Sequence, residues 1–169
     1  MKSKLSVILT FGLLFLAGGL KPVFALEHTQ KDGLFSMDIP EAWHWAEDQQ
    51  EVIIAYPDGK TVAIDIQLVP SKKLSPSDIK NTLKEANDKM IKEGIEAHNG
   101  TLIGNKEITI DGVYATQLDF KTSPPNVIYV TYISFFNKDR AFTVTYGSAD
   151  EKMRSMMDDA LATFKFGRS

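Results

Sequence analysis

The sequence predicts an α+β fold in which an antiparallel β-sheet is covered by helices on both faces, an α/β/α sandwich. Three observations carry the prediction. Candidate elements follow the order strands, helix, strands, helix along the chain. Asp111-Gly112 lies between two β-forming runs, and a two-residue hairpin of this kind requires antiparallel neighbours. The run 127–136 is apolar on both sides, with Val127, Tyr129, Ile133 and Phe135 against Ile128, Val130, Tyr132 and Phe136. Such a strand is central and covered twice.

The chain opens with an address. Lys2 and Lys4 form a positive start, residues 5–20 an apolar stretch, and Pro22-Val23-Phe24-Ala25 a small-residue cleavage site. Cleavage is expected after Ala25, giving a signal peptide over 1–25 and a single domain over 26–169. The rival is a retained anchor. The apolar stretch falls short of the ~20 residues that span a bilayer and holds Gly12, Gly18 and Gly19, which favours the cleaved signal.

Residues 26–31 are polar and read as a frayed entry. The fold then starts at Leu34, Met37 and Ile39, a short strand ended by Pro40, which lacks the N–H to continue a central ladder. Glu41-Ala42-Trp43-His44-Trp45 reads as a turn that returns two indoles to the structure. Residues 52–56 form a β-branched strand, followed by the turn Pro57-Asp58-Gly59-Lys60. In the next strand Val62, Ile64, Ile66 and Leu68 share one face, with Thr61, Asp65 and Gln67 on the other.

A helix follows. Ser75 caps it, Pro76 takes its first position, and Asp78 favours the positive end of the helix dipole. Ile79, Leu83, Ala86, Met90 and Ile91 make its apolar stripe, and Gly94 is expected to end it. Its lysines and acids on the other side read as a solvated face. Beyond the Asp111-Gly112 hairpin, Tyr114, Thr116, Leu118 and Phe120 oppose Gln117, Asp119 and Lys121. Ser123-Pro124-Pro125-Asn126 interrupts the strands, and Asn137-Lys138-Asp139-Arg140 turns the long strand back. Ser148-Ala149-Asp150-Glu151 fits a capping box for a last helix whose stripe is Met153, Met156, Met157, Ala160, Leu161 and Phe164.

Composition limits the function. With 43% hydrophobic and 24% charged residues the chain is globular in type. Without the leader, 144 residues with 16 basic and 22 acidic side chains carry a formal charge of −6. That sign argues against nucleic acid or an anionic membrane surface as the main partner. The chain has no cysteine, which removes disulfides, thiolate chemistry, Cys-ligated zinc and lipid attachment at an N-terminal cysteine.

The strand ending in Ile39-Pro40 with Trp43 three residues on, the glycine hairpin leading to residues 114–120, the aromatic strand 129–136 and the terminal Phe164-Lys165-Phe166 together resemble the PsbP-like family. The likeness covers residues 33–166. It implies an antiparallel sheet between helices, in small secreted bacterial proteins that serve without catalysis as binding or assembly modules. No metal or photosystem contact of the plant members matches a motif here.

Few residues offer chemistry. Of His28, His44 and His98, His28 falls in the frayed entry, and His44, between Trp43 and Trp45 and followed by Glu47 and Asp48, is the most suggestive, since imidazole near carboxylates can ligate metal or move protons. A surface histidine at a strand end is the competing reading. Asp158-Asp159 diverge by about 100° on a helix and do not chelate. The chain has no Gly-x-Ser-x-Gly, phosphate-binding glycine loop or His-Glu-x-x-His. Three readings follow. The first is a periplasmic or extracellular, non-catalytic module with a protein partner in the cell envelope and no cofactor. The second is a small-ligand carrier with a pocket walled by Trp43, Trp45, Tyr129 and Tyr132. The third is a metal-assisted enzyme built on His44. Trp43, His44, Trp45, Tyr129 and Tyr132 are thus the candidate ligand or partner surface, with no stable membrane insertion expected after signal cleavage.

Overall fold

Asp111 and Gly112 take φ of 46° and 81°, the positive values that a type I′ turn demands, so the strands on either side run antiparallel. The computed structural model describes residues 25–96 and 99–167. The signal segment up to residue 24 and His98 lie outside them. In chain order the strands are β1 (Ala25–Thr29), β2 (Phe35–Pro40), β3 (His44–Glu47), β4 (Glu51–Ala55) and β5 (Val62–Pro70). Helix α1 (Pro76–Lys89) follows and continues as a π-helical turn over Met90–Ile95. Strands β6 (Thr101–Ile110), β7 (Val113–Lys121), β8 (Tyr129–Asn137) and β9 (Arg140–Ser148) precede helix α2 (Glu151–Ala162) and the short β10 (Lys165–Phe166).

Seven strands form one antiparallel sheet in the order β3-β4-β5-β9-β8-β7-β6, and β1-β2-β10 form a second. Strand alternation then decides what each face carries. Phe135 stands opposite Phe142 and Ala115, and Ile133 opposite Val144. These residues join Ile64, Ile66, Phe35, Met37, Ile39, Met157, Leu161 and Phe164 in one buried cluster. The small sheet and α2 therefore cover this face. On the opposite face the hydroxyl of Thr116 donates to Asn87 of α1 at 3.3 Å, and both residues are buried.

The fold is α+β with antiparallel sheets and two α-helices among the described residues. Coverage of both faces by helices is a finer expectation that this arrangement does not bear out. One face is closed by the second sheet together with α2, and on the other α1 makes its main contacts with β7 and β8.

Local departures have physical causes. The polar entry is strand β1, because its backbone pairs with β2 from Ala25↔Pro40 to Thr29↔Ser36. The expected turn at 41–45 is shorter, and His44 and Trp45 already belong to β3, paired with Ala55 and Ile54. A register shift near Ile54 and Ala55 interrupts the alternation of β5, so Val62 is 48% exposed while Ala63 is buried. On α1, Asn87 is buried where Ala86 was expected. Gly94 does not end the helix. The N–H of Glu96 bonds to the Ile91 carbonyl five residues back, and this wider turn brings Ile95 into the interior. Ser75 caps α1 as expected, accepting from Asp78 N–H at 3.2 Å. At α2 the cap is Asp150, accepting from Met153 N–H at 3.1 Å, because Ser148 accepts instead from Asp150 N–H.

Candidate functional site

The five aromatic and imidazole side chains singled out in the sequence do not converge. Trp43 is 6% exposed, sits edge-on to Tyr56 at 5.2 Å and is part of the core. His44 is exposed, and its Nε2 lies 3.3 Å from the Pro57 carbonyl. Trp45 is half-buried and stacks on His28 at 5.3 Å. Tyr129 and Tyr132, three apart on β8, point to opposite faces of the sheet. The acids near His44 are engaged in loop structure. Glu47 accepts from Lys31 N–H at 3.0 Å, and Asp48 accepts from the N–H groups of Gln50 and Glu51. Among the described residues, no group of three or more histidine, aspartate or glutamate side chains is placed to hold a metal ion.

Of the five, Tyr129 lines a groove of about 420 Å³. Its floor is the α2-side face of β6–β9, where alternation brings Lys106, Gln117, Thr131 and Tyr146 together. Its other wall is α2, with Arg154 and Asp158 one turn apart. A second cavity of about 240 Å³ shares Gln117, Tyr146 and Asp158 and extends along α2 to Asp111 and Lys165. The two make one trough. At its far end Lys165 lies 3.4 Å from Asp111, whose carboxylate also accepts from Phe166 N–H.

The polar groups of the trough are held by one another. Asp119 accepts from Gln117 Nε2 at 2.8 Å and from Thr131 Oγ1 at 2.8 Å, and lies 3.8 Å from Lys106 Nζ. Tyr146 donates its phenol hydrogen to Asp158 at 2.6 Å. Burial first, and then this bond and the charge of Asp158, raise the Tyr146 pKa far above the ordinary phenol range. The phenol is therefore a fixed donor across the physiological range. Arg154 lies over the Tyr129 ring, 4.7 Å from its centroid, and no carboxylate among the described residues pairs with it.

Most of this site escapes a sequence reading that looks for motifs. One signal was available. Gln117 and Asp119 alternate with Leu118 and share the side of Ala115, which faces the core. Polar residues on the inward side of a strand need partners there.

No family model and no curated protein matches this chain. Solved structures do. One is a protein from Bacteroides thetaiotaomicron, at 12% identity and a TM-score of 0.59, covering 85% of this chain and 48% of that one. The chain thus spans about half the length of that protein. A second is the cyanobacterial PsbP of Synechocystis sp. PCC 6803, at 15% identity and a TM-score of 0.54, covering 92% of this chain and 99% of that one. A third is LpqN, described as involved in cell envelope biogenesis of Mycobacterium tuberculosis, at 13% identity and a TM-score of 0.51, covering 85% and 91% of the two chains. At such identities the likeness is one of fold, and on that ground the chain has a PsbP-like fold.

Proposed function

We propose that this protein is a non-catalytic binding or assembly module, acting in the periplasm or outside the cell, that holds a protein of the cell envelope in the trough beside α2. The observation that carries this reading is the lining of the trough. Its donors and acceptors are fixed in place by bonds to each other, as a recognition surface requires, and Tyr146 is held as a donor rather than tuned as a base near neutral pH. The export pattern of residues 1–25, the acidic balance of the remainder and the fold neighbour linked to envelope biogenesis support the location. No helix of the described residues is long and apolar enough to cross a membrane.

A small-ligand carrier is the second reading. It is favoured by one fact, a groove of about 420 Å³, within the ~300–1,000 Å³ of small-molecule sites. Photo-crosslinking in the native envelope separates the two. With the crosslinker at Tyr129, an envelope protein is expected that a crosslinker at the exposed Lys92 does not capture. Equal yields from both positions would remove the module reading, and a small molecule bound in native mass spectrometry would replace it with the carrier. N-terminal sequencing of the exported protein should begin near Leu26.

A further inference from the structure

A separate cavity of about 270 Å³ lies on the other face of the sheet, between α1 and the strands β6 and β7. Spacing brings its walls together. Lys80, Lys84 and Asn87 follow one another at four and three residues on α1, so they share one side of the helix. Glu107 and Thr116 are paired across β6 and β7, and Asn105 and Tyr114, each two residues from one of them, stand on the same face.

One side chain of this cavity is out of place on a merely solvated surface. Leu83 and Asn87, one turn apart, are the buried residues of α1, and Asn87 is 4% exposed. Its amide meets the Thr116 hydroxyl at 3.3 Å. The other end of that amide has no hydrogen-bond partner among the described residues, although Asn87 lines the cavity. A buried polar group left unpaired is costly, so the unused end calls for a partner from outside the chain. Asn81 and Asn105 line the same hollow from the helix and from the strand, which sets three side-chain amides around it.

We propose that this cavity binds a neutral saccharide, free or as a unit of a larger glycan, through the amides of Asn81, Asn87 and Asn105. Charge points to a neutral ligand. Lys84 Nζ lies 2.6 Å from Asp88 and Lys80 Nζ 4.0 Å from Glu107, so two cations stand against two acids and an ion meets as much repulsion as attraction. Hydroxyls suit the amides. Each hydroxyl donates and accepts, as each amide does, so neighbouring hydroxyls of a sugar ring pair with Asn87 whichever way its amide is turned. A peptide fits less well. Tyr114, whose ring carries the Lys80 ammonium 4.8 Å from its centroid, is the one aromatic or aliphatic residue of the described lining, which leaves no pocket for apolar side chains. The volume, just under the ~300–1,000 Å³ of small-molecule sites, suits a small ligand or one unit of a chain. The site lies across the sheet from the trough and does not depend on the partner proposed there.

The test is titration of the purified protein with neutral mono- and oligosaccharides, uronic acids and short peptides, followed by NMR of backbone and asparagine side-chain amides. Neutral saccharides should shift the side-chain amides of Asn81, Asn87 and Asn105, and uronic acids and peptides should not. Asn81→Ala and Asn105→Ala, both at exposed positions, should each weaken binding about three- to tenfold. Asn87→Leu combined with Thr116→Val, which removes the buried polar pair, should abolish it. If that double variant fails to fold, deoxy analogues of the bound sugar test the same bonds on the unaltered protein, and loss of either of two neighbouring hydroxyls should cost about tenfold. Equal binding of a monosaccharide and its oligomers identifies a free sugar as the ligand, and binding of oligomers alone identifies a glycan chain. No shift up to about 10 mM saccharide, a preference for uronic acids or peptides, shifts centred on the trough, or indifference to the variants and the deoxy analogues would each overturn the site.

Discussion

Two ends of one sheet face, built from the same three strands, have opposite character. Along β8, Phe135 and Ile133 are 0% and 1% exposed, yet two and four residues earlier Thr131 is half-buried and Tyr129 is 37% exposed. Along β7 the same direction runs from Ala115 through Gln117 to Asp119. At the dry end Phe35 stacks on Phe164 at 4.7 Å and Phe135 on Phe142 at 4.9 Å, with Phe166 edge-on to three of these rings. β2, β10 and the second half of α2 close over them. At the wet end α2 alone reaches across, through Arg154 and Asp158, and polar groups face a trough. Alternation specifies which side chains share a face, but the covering element decides whether that face becomes a core or a site.

The contrast predicts effects of very different size. Phe135→Ala removes a fully buried ring from the aromatic stack and should cost about 3–5 kcal/mol in urea unfolding. A loss below about 1 kcal/mol would mean that the dry end is not close-packed. Asn87→Ala tests the opposite face. It strands the buried hydroxyl of Thr116 and should cost about 1–3 kcal/mol. Asn87→Leu combined with Thr116→Val, which removes both polar partners, should recover much of that loss in the same measurement.

Tyr146 stands at the boundary between the two ends, with its ring in the core cluster and its hydroxyl in the trough. Tyr146→Phe should cost about 0.5–1.5 kcal/mol at neutral pH, since Asp158 is exposed and water can replace the lost donor. The pH dependence is more specific. The native phenol titrates well above the ordinary phenol value of 10.0, so above pH 10 the unfolded chain holds fewer protons than the native one. The stability that this group contributes is complete below that pH and declines as pH rises beyond it. Unfolding followed at increasing alkaline pH should show a decline that is shallower in the Phe variant. Parallel curves for the two proteins would show that the phenol is not held by burial.

How much of this was legible in the sequence follows the same division. Periodicity located β2, β5, β7 and both helices, because a dry face imposes a period on apolar residues, and a β-branched run and a two-sided apolar run located β4 and β8. The strand ending in Ile39-Pro40 and the terminal Phe-x-Phe both fall in the aromatic core, where packing accounts for them. β1 and β3 were not legible, since backbone pairing holds them with few apolar residues to mark them. The trough was also hidden. Lys106, Thr131, Tyr146, Arg154 and Asp158 come from four elements and have no common spacing in the chain, and the search for motifs turned instead to Trp43, His44 and Trp45.

The smallest stability effect should come from the residue with most to do in binding. Arg154 is half-buried at the start of α2, and its described contact is the ring of Tyr129. Arg154→Ala forfeits that cation–π contact, worth no more than about 0.5–1 kcal/mol at an exposed site, and leaves no buried group unpaired. Unfolding should therefore barely change. Crosslinking of a partner from Tyr129 should fall sharply, because the trough loses its one cation without a carboxylate among the described residues, while Arg154→Lys should restore charge without the planar fork and recover only part of the yield. If Arg154→Ala instead destabilised the protein as Phe135→Ala does, the wet end would be a continuation of the core, and the distinction between the two ends would fail.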